Sequence, residues 1–190
     1  MPDLILASTS PYRRALMGRL GVPFRCVSPR FDENVLKRQG LEPRALASRS
    51  ARGKAESVRE DGAVVVGSDQ VVAFDGDVFG KPGDAGGAVR QLLAMSGRSH
   101  ELITAVVVIQ GERAVEHLDV TTLWMRPLTR AQIERYVEAD RPFDCAGSYK
   151  LEERGVTLFE RIDSGDHSAV TGLPLIALTT MLVEFGFAIP

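Results

Sequence analysis

The run AVVVG, Ala63 to Gly67, sets three valines between an alanine and a glycine. So short and so β-branched a stretch is a strand buried inside a sheet. What flanks it decides the kind of sheet. Leu4 to Ala7 reads as a second buried strand, and Ser10 followed by Pro11 supplies an N-cap and a proline at the first helical position. The helix they start stops near Gly21. Phe24 to Val27 is a candidate strand, and Pro43 opens a long helix in which Ala47, Ala51, Ala55 and Val58 recur at helical spacing. Beyond Gly67, VVAFDGDVFG continues as a hairpin turning at Asp75-Gly76, and Asp84 starts a helix that ends at Gly97. His100 to Gln110 and Arg113 to Met125 form two strands joined at Gly111. Thr129 with Gln132 is a capping box for a helix from about Arg130 to Ala139. FDCAGSYKLEERG is irregular and polar, GVTLFERI returns as a strand, and Pro174 to Phe185 closes as an amphipathic helix. Helical crossovers mixed with hairpins give an α/β fold with a mixed twisted sheet.

No repeat, low-complexity segment or linker interrupts the 190 residues, so 1–190 is read as a single domain of one compact unit or two small lobes on a shared core. Lys plus Arg total 23 against 25 Asp plus Glu, a net charge of -2. No global basic field exists to draw the chain onto nucleic acid or anionic lipid, so any anion site is local. Met1 to Leu6 lack the pattern of a signal peptide, and no apolar run approaches the roughly 20 residues that span a bilayer. A cytoplasmic location is the expectation. Cys26 and Cys145 belong to no CxxC or Cys/His spacing; two buried thiols, with neither zinc nor a disulfide, are expected. His100, His117 and His167 show no ligand spacing, and Trp124 reads as a core or edge-packing residue.

LILASTSPYRRALMGRL, Leu4 to Leu20, is a strand, a Ser/Thr loop and a helix start. Backbone N–H groups and the positive end of the helix dipole converge there, which suits an anion. Ser8, Thr9 and Ser10 add hydroxyls, and Arg13 can deliver a planar fork of donors to phosphate oxygens. An ordinary cap followed by a solvated Arg-Arg face fits the same residues. The glycines and Gly-Lys-Ser/Thr ending of a P-loop are missing. Asp69, in VVVGSDQVV, is read just beyond the carboxyl end of a buried strand, where a carboxylate can hold a metal or orient water. In FGKP, Lys81 lies between a glycine and a proline. Asp32-Glu33 falls in a polar loop, and Lys54 on the polar face of the alanine-rich helix, so that both lysines read as exposed. Each taken singly fits a surface charge; together they are the parts of metal-dependent phosphoryl chemistry.

LASTSPYRRALM, DE, KA, GSDQ, GKP, and CAGSYK continued by Glu152 and Gly155 follow one another along nearly the whole chain. In order and spacing they resemble the Maf family of nucleoside triphosphate pyrophosphatases. The resemblance implies hydrolysis between the α and β phosphates to a monophosphate and pyrophosphate. It also implies a divalent cation (Mg, Mn or Co), a Maf/ITPase-like fold of two lobes around a deep central cleft, and a homodimer. Carried over residue by residue, the catalytic base corresponds to Asp69, the phosphate-binding set to Ser8, Ser10, Arg13, Lys54 and Lys81, and the metal positions to Glu33 and Asp69. The family is also associated with arrest of septum formation, so a nucleotide-binding regulator that needs no turnover is the alternative class.

Three positions resemble one branch in particular. The commoner pattern has arginine after the serine-proline corner, threonine after the catalytic Asp, and glutamine late in the glycine motif; here stand Tyr12, Gln70 and Glu152. These match the branch acting on 7-methylguanosine triphosphate rather than the one acting on thymidine or uridine triphosphates. N7 methylation makes guanine cationic, and a cation is drawn to an aromatic face and to a carboxylate. Glu152 can also accept from N1–H and N2–H of guanine, a pairing that thymine and uracil lack. The same residues also fit a Tyr12 that packs on its helix and a Glu152 that faces water.

Overall fold

The protein is described by a computed structural model covering residues 2–189. In chain order its elements are β1 (Leu4–Ala7), α1 (Pro11–Gly18), β2 (Arg25–Val27), α2 (Glu33–Lys37), α3 (Pro43–Glu56), β3 (Val64–Phe74), β4 (Asp77–Phe79) and α4 (Ala85–Met95). After them come β5 (Ser99–Gln110), β6 (Arg113–Met125), α5 (Arg130–Asp140), β7 (Phe159–Asp163), α6 (His167–Val170) and α7 (Leu175–Glu184). The strands make a seven-stranded sheet in the order β2-β1-β3-β5-β6-β7, with β4 paired to β3. The sheet is mixed, because β1 pairs in parallel with β2 and β3 while β3–β4 and β6–β7 are antiparallel. The chain divides into two compact units. One comprises Met1–Gln70, Thr104–Asp119 and Asp166–Pro190, the other Val71–Ile103 and Val120–Gly165.

In the first unit the register sets Leu4 beside Val64 and Leu6 beside Val66. Side chains alternate across a strand, so these four point to one face, where they are buried with Val106, Val108, Leu16 and Met17 of α1, and Leu178 and Leu182 of α7. Each such aliphatic side chain removed from water contributes about 1.5–3 kcal/mol. The opposite face of β3 receives α3. Gly67 lets that helix approach, since a Cβ there would collide with the Ala51 carbonyl and lie 2.8 Å from the Ala55 Cβ. That contact corrects the reading of Gly67 as the end of a strand: β3 continues through Ser68, Asp69 and Gln70 to Phe74, so Asp69 lies inside the strand rather than beyond it.

The second unit packs α4 against α5. The β3–β4 hairpin turns where expected, with Asp75 at φ 52° and Gly76 at φ 86°, two left-handed residues of the kind a tight hairpin demands. The expected capping box on α5 is present, Thr129 and Gln132 bonding reciprocally. GVTLFERI divides, with 154–158 forming a 3₁₀ turn and β7 beginning only at Phe159. Trp124 is an edge-packing residue, paired across strands with Arg161, whose guanidinium stacks 4.6 Å from its ring centre.

The cysteines depart from expectation. Cys26 is exposed, because β2 closes one edge of the sheet, and Cys145 is half-buried. Both are free thiols. Burial, aided by Asp144, pushes the Cys145 thiol up to about 12, so it stays protonated and unreactive at neutral pH.

His100 is buried against Tyr149 and Phe159, its Nε2 3.0 Å from the Tyr149 hydroxyl and its Nδ1 without a hydrogen-bond partner among the described residues. Burial lowers its pKa from 6.5 to about 4. The unfolded chain therefore takes up this proton from about pH 6.5 downward while the folded chain does not, and stability falls as pH drops through that window. The expected loss is about 3 kcal/mol between pH 7 and 4. Urea unfolding of wild type and His100→Gln across that range checks it: the difference between them should shrink toward pH 4, and a constant difference would refute the assignment.

Candidate active site

The first unit carries eight of the site residues singled out above, Ser8, Ser10, Tyr12, Arg13, Glu33, Lys54, Asp69 and Gln70. Lys54, in the last turn of α3, is 7% exposed, and its ammonium lies 2.6 Å from Asp69 Oδ1 and 2.7 Å from Glu33 Oε1. The reading of Lys54 as an exposed charge is thereby corrected. The face of α3 that packs on β3 carries alanines at 47, 51 and 55, and Lys54, adjacent to Ala55, runs along that buried surface to reach the carboxylates. Asp69 is directed to Lys54 by strand alternation: it shares the face of Gly67, where α3 packs, while Ser68 and Gln70 point the other way.

Glu33 reaches the pair through two local devices. The ring of Phe31 lies on the bare Cα of Gly53, where a Cβ would collide with it, and the Arg30 N–H donates to Ser57 Oγ, which seats the 30–33 segment on α3. Asp32 then caps α2 by accepting from the Asn34 N–H, so Glu33 opens a short helix instead of lying in a loop.

Arg13, half-buried in the first turn of α1, donates from Nε to the Gly172 carbonyl at 2.9 Å. Burial lowers its pKa while Asp69 and Glu33 act to raise it, so the guanidinium lies in the field of both carboxylates. The two serines before it serve as caps. Ser8 Oγ accepts from the Ser10 N–H at 3.1 Å and Ser10 Oγ from the Arg13 N–H at 3.4 Å, so each hydroxyl keeps its own hydrogen as a donor. Tyr12 is half-buried one residue before Arg13. Gln70 spends its amide nitrogen within the fold, bonding Thr104 Oγ1 and the Ala169 carbonyl, each at 2.8 Å.

Lys81 and Glu152 belong to the second unit, and both are exposed. The loop carrying Lys81 is held at each side: the Gly80 carbonyl accepts from Gln91 Nε2, the Gly83 N–H donates to Phe143, and Asp84 caps α4. Glu152 rides a turn closed by the Gly155 N–H on the Lys150 carbonyl, where a Cβ on Gly155 would collide with that carbonyl. Upstream, Gly147 and Ser148 are both left-handed, at φ 72° and 65°, and Ser148 Oγ holds Gln91 Oε1 at 2.6 Å. A buried serine in that conformation is strained, and such strain gathers where a loop must be held in one shape.

Chemically, the Lys54 group is a pair of carboxylates on a buried ammonium with an arginine fork nearby. Asp69 Oδ2 makes no protein hydrogen bond among the described residues. No group of three or more His, Cys, Asp or Glu that could enclose a metal occurs among the described residues. The point to which Glu33 and Asp69 both turn is taken by the Lys54 ammonium, so a divalent cation of the kind that completes its shell with phosphate oxygens and water would have to bind through their other oxygens.

A family model described as Maf-like protein matches residues 3–185. The chain belongs to the Maf family. Among its relatives, a 7-methyl-GTP pyrophosphatase of Xanthomonas oryzae pv. oryzae is 50% identical over the whole of both chains, and one of Bdellovibrio bacteriovorus is 46% identical over 95% of each. A third, from Hahella chejuensis, is 42% identical over all of this chain and 96% of its own. The structure of a HAM1 protein from Coxiella burnetii superposes with a TM-score of 0.51 at 15% identity, covering 97% of this chain and 100% of that one, which speaks for a shared fold alone. The segment GDHSAVTGLP carries no signal that composition or spacing would isolate; its Gly172 carbonyl, brought next to Arg13 and Ser68, and its Ala169 carbonyl, brought next to Gln70, mark it.

Proposed function

We propose that this Maf protein is a cytoplasmic enzyme that hydrolyses 7-methylguanosine triphosphate between its α and β phosphates, releasing 7-methylguanosine monophosphate and pyrophosphate. The observation that carries the reading is Asp69, held on Lys54 through one carboxylate oxygen, beside Glu33 and in the field of Arg13. Asp69 takes the proton of the attacking water as its oxygen adds to phosphorus, and the bond to the bridging oxygen breaks with pyrophosphate as the leaving group. Arg13, Lys54, Lys81 and the Ser8 and Ser10 hydroxyls bind phosphate oxygens, placing positive charge where negative charge accumulates. A divalent cation held by Glu33 and Asp69 would neutralise phosphate charge when bound. Tyr12 and Glu152 favour the cationic base, the first by its ring and the second by its charge. A net charge of -2 agrees with a free nucleotide rather than a nucleic acid as substrate.

Pyrophosphate release from 7-methyl-GTP, GTP, thymidine triphosphate and UTP tests this directly. We expect the highest kcat/KM for the methylated nucleotide, and Glu152→Gln combined with Tyr12→Arg should erase about tenfold or more of its advantage over GTP. Gln70 stays in place in this variant, since its amide holds the 169–170 backbone. Equal kcat/KM for 7-methyl-GTP and thymidine triphosphate in the wild type would overturn the base preference, and no pyrophosphate from any of the four would overturn the enzyme.

A further inference from the structure

We infer that the Asp166–Gly172 turn is a positioning element for the reaction, in which the main-chain carbonyl of Gly172 sets Arg13 in register with the strand that carries Asp69. The inference rests on the reading of Arg13 as a phosphate-binding group. One carbonyl receives two donors, Arg13 Nε at 2.9 Å and Ser68 Oγ at 3.0 Å, and Ser68 immediately precedes Asp69 on β3. With Nε committed to that carbonyl, the plane of the guanidinium is set by the backbone and its two terminal nitrogens are left to face phosphate oxygens.

The turn that presents the carbonyl is itself tied down. Asp166 Oδ1 accepts from the Ser168 N–H at 2.9 Å, Asp166 Oδ2 accepts from the Ile176 N–H at 2.8 Å, and Ser168 Oγ accepts from the Leu175 N–H at 2.8 Å, which fastens the turn to the start of α7. From the sheet, Gln70 Nε2 bonds the Ala169 and Val170 carbonyls and Thr104 Oγ1 bonds Ala169 as well. Gly172 has φ +111°, a conformation that residues with a side chain rarely adopt, and an added Cβ would lie 3.5 Å from Arg13 Nε, an ordinary contact. A substitution there therefore turns the carbonyl rather than crowding the arginine. A displacement of about 1 Å in a substrate-orienting group is enough to cost up to 100-fold in rate.

The experiment is a double-mutant cycle on kcat for pyrophosphate release, with thermal midpoints followed alongside. Gly172→Ala should lower kcat about tenfold in the wild-type background and less than about twofold in Arg13→Lys, which keeps the charge but has lost the Nε contact. If Gly172→Ala does not fold, Ser68→Ala, which removes the other donor from the same carbonyl without touching the backbone, is read by the same criterion. Equal losses in both backgrounds overturn the inference. Undiminished turnover in Gly172→Ala and Ser68→Ala beside a depressed Arg13→Lys also overturns it while leaving the assignment of Arg13 intact. Undiminished turnover in Arg13→Lys also overturns the inference, since the charge alone then suffices without the Nε contact.

Discussion

Asp69→Asn should lower turnover by a factor of about 100 or more while changing nucleotide binding far less, in keeping with the usual weight of a general base. Asparagine keeps the size of the side chain and can still accept a hydrogen bond from Lys54 through its carbonyl oxygen, so the 2.6 Å contact need not open. What is lost is the capacity to take up the proton of water, together with one negative charge facing Lys54 and Arg13. Steady-state kinetics of pyrophosphate release separate the two effects, because loss of the base falls on kcat and loss of a binding contact on KM. A variant turning over at the wild-type rate would exclude Asp69 from proton transfer.

Lys54→Ala should be costly twice over. The sequence alone suggests an exposed lysine whose removal leaves stability untouched, but the side chain is buried between Asp69 and Glu33. Deleting it leaves Asp69, itself only 9% exposed, as an uncompensated carboxylate, and breaking a buried pair in this way destabilises by about 3–5 kcal/mol. Turnover should fall by about 100-fold as well, since the ammonium that holds Asp69, and that we propose to bind phosphate, is gone. The two losses separate in Lys54→Met combined with Asp69→Asn, where no unpaired charge remains at that pair. Unfolding in urea should show this double variant more stable than Lys54→Ala alone, and the pyrophosphate assay should show it inactive. A Lys54→Ala protein as stable as wild type would mean that Asp69 is solvated in the absence of the lysine.

Lys81→Ala stands as a contrast, because Lys81 is exposed and its loop is held by Gly80, Gly83 and Asp84 rather than by the lysine. Two residues of the same type, both read as surface charges, thus differ for a reason outside local pattern. The alanines at 47, 51 and 55 gave the buried stripe of α3, yet the angle at which that stripe meets β3 depends on Gly67.

Local pattern was enough for β1 and the start of β3, the Ser10-Pro11 start of α1, the Asp75-Gly76 hairpin and the Thr129 capping box, because each depends on residues within a few positions of one another. It was enough also for the family, whose motifs are read in order along the chain. Where β3 ends was not legible, since a glycine at a strand terminus and a glycine under a close-packed helix look alike until the helix is present. Glu33 could not be assigned to Lys54 either: its approach depends on Phe31 settling on Gly53, 22 residues away. The exposure of Cys26 follows from the edge position of β2, a property of strand order rather than of the sequence RCV. Likewise the grip of Ser68, Gln70 and Arg13 on the 166–172 turn joins residues about 100 to 160 positions apart, and no periodicity connects them. Short-range backbone preference decides which segments become helix or strand; which buried groups must share a charge or a carbonyl is decided only when distant segments are packed and deprived of water.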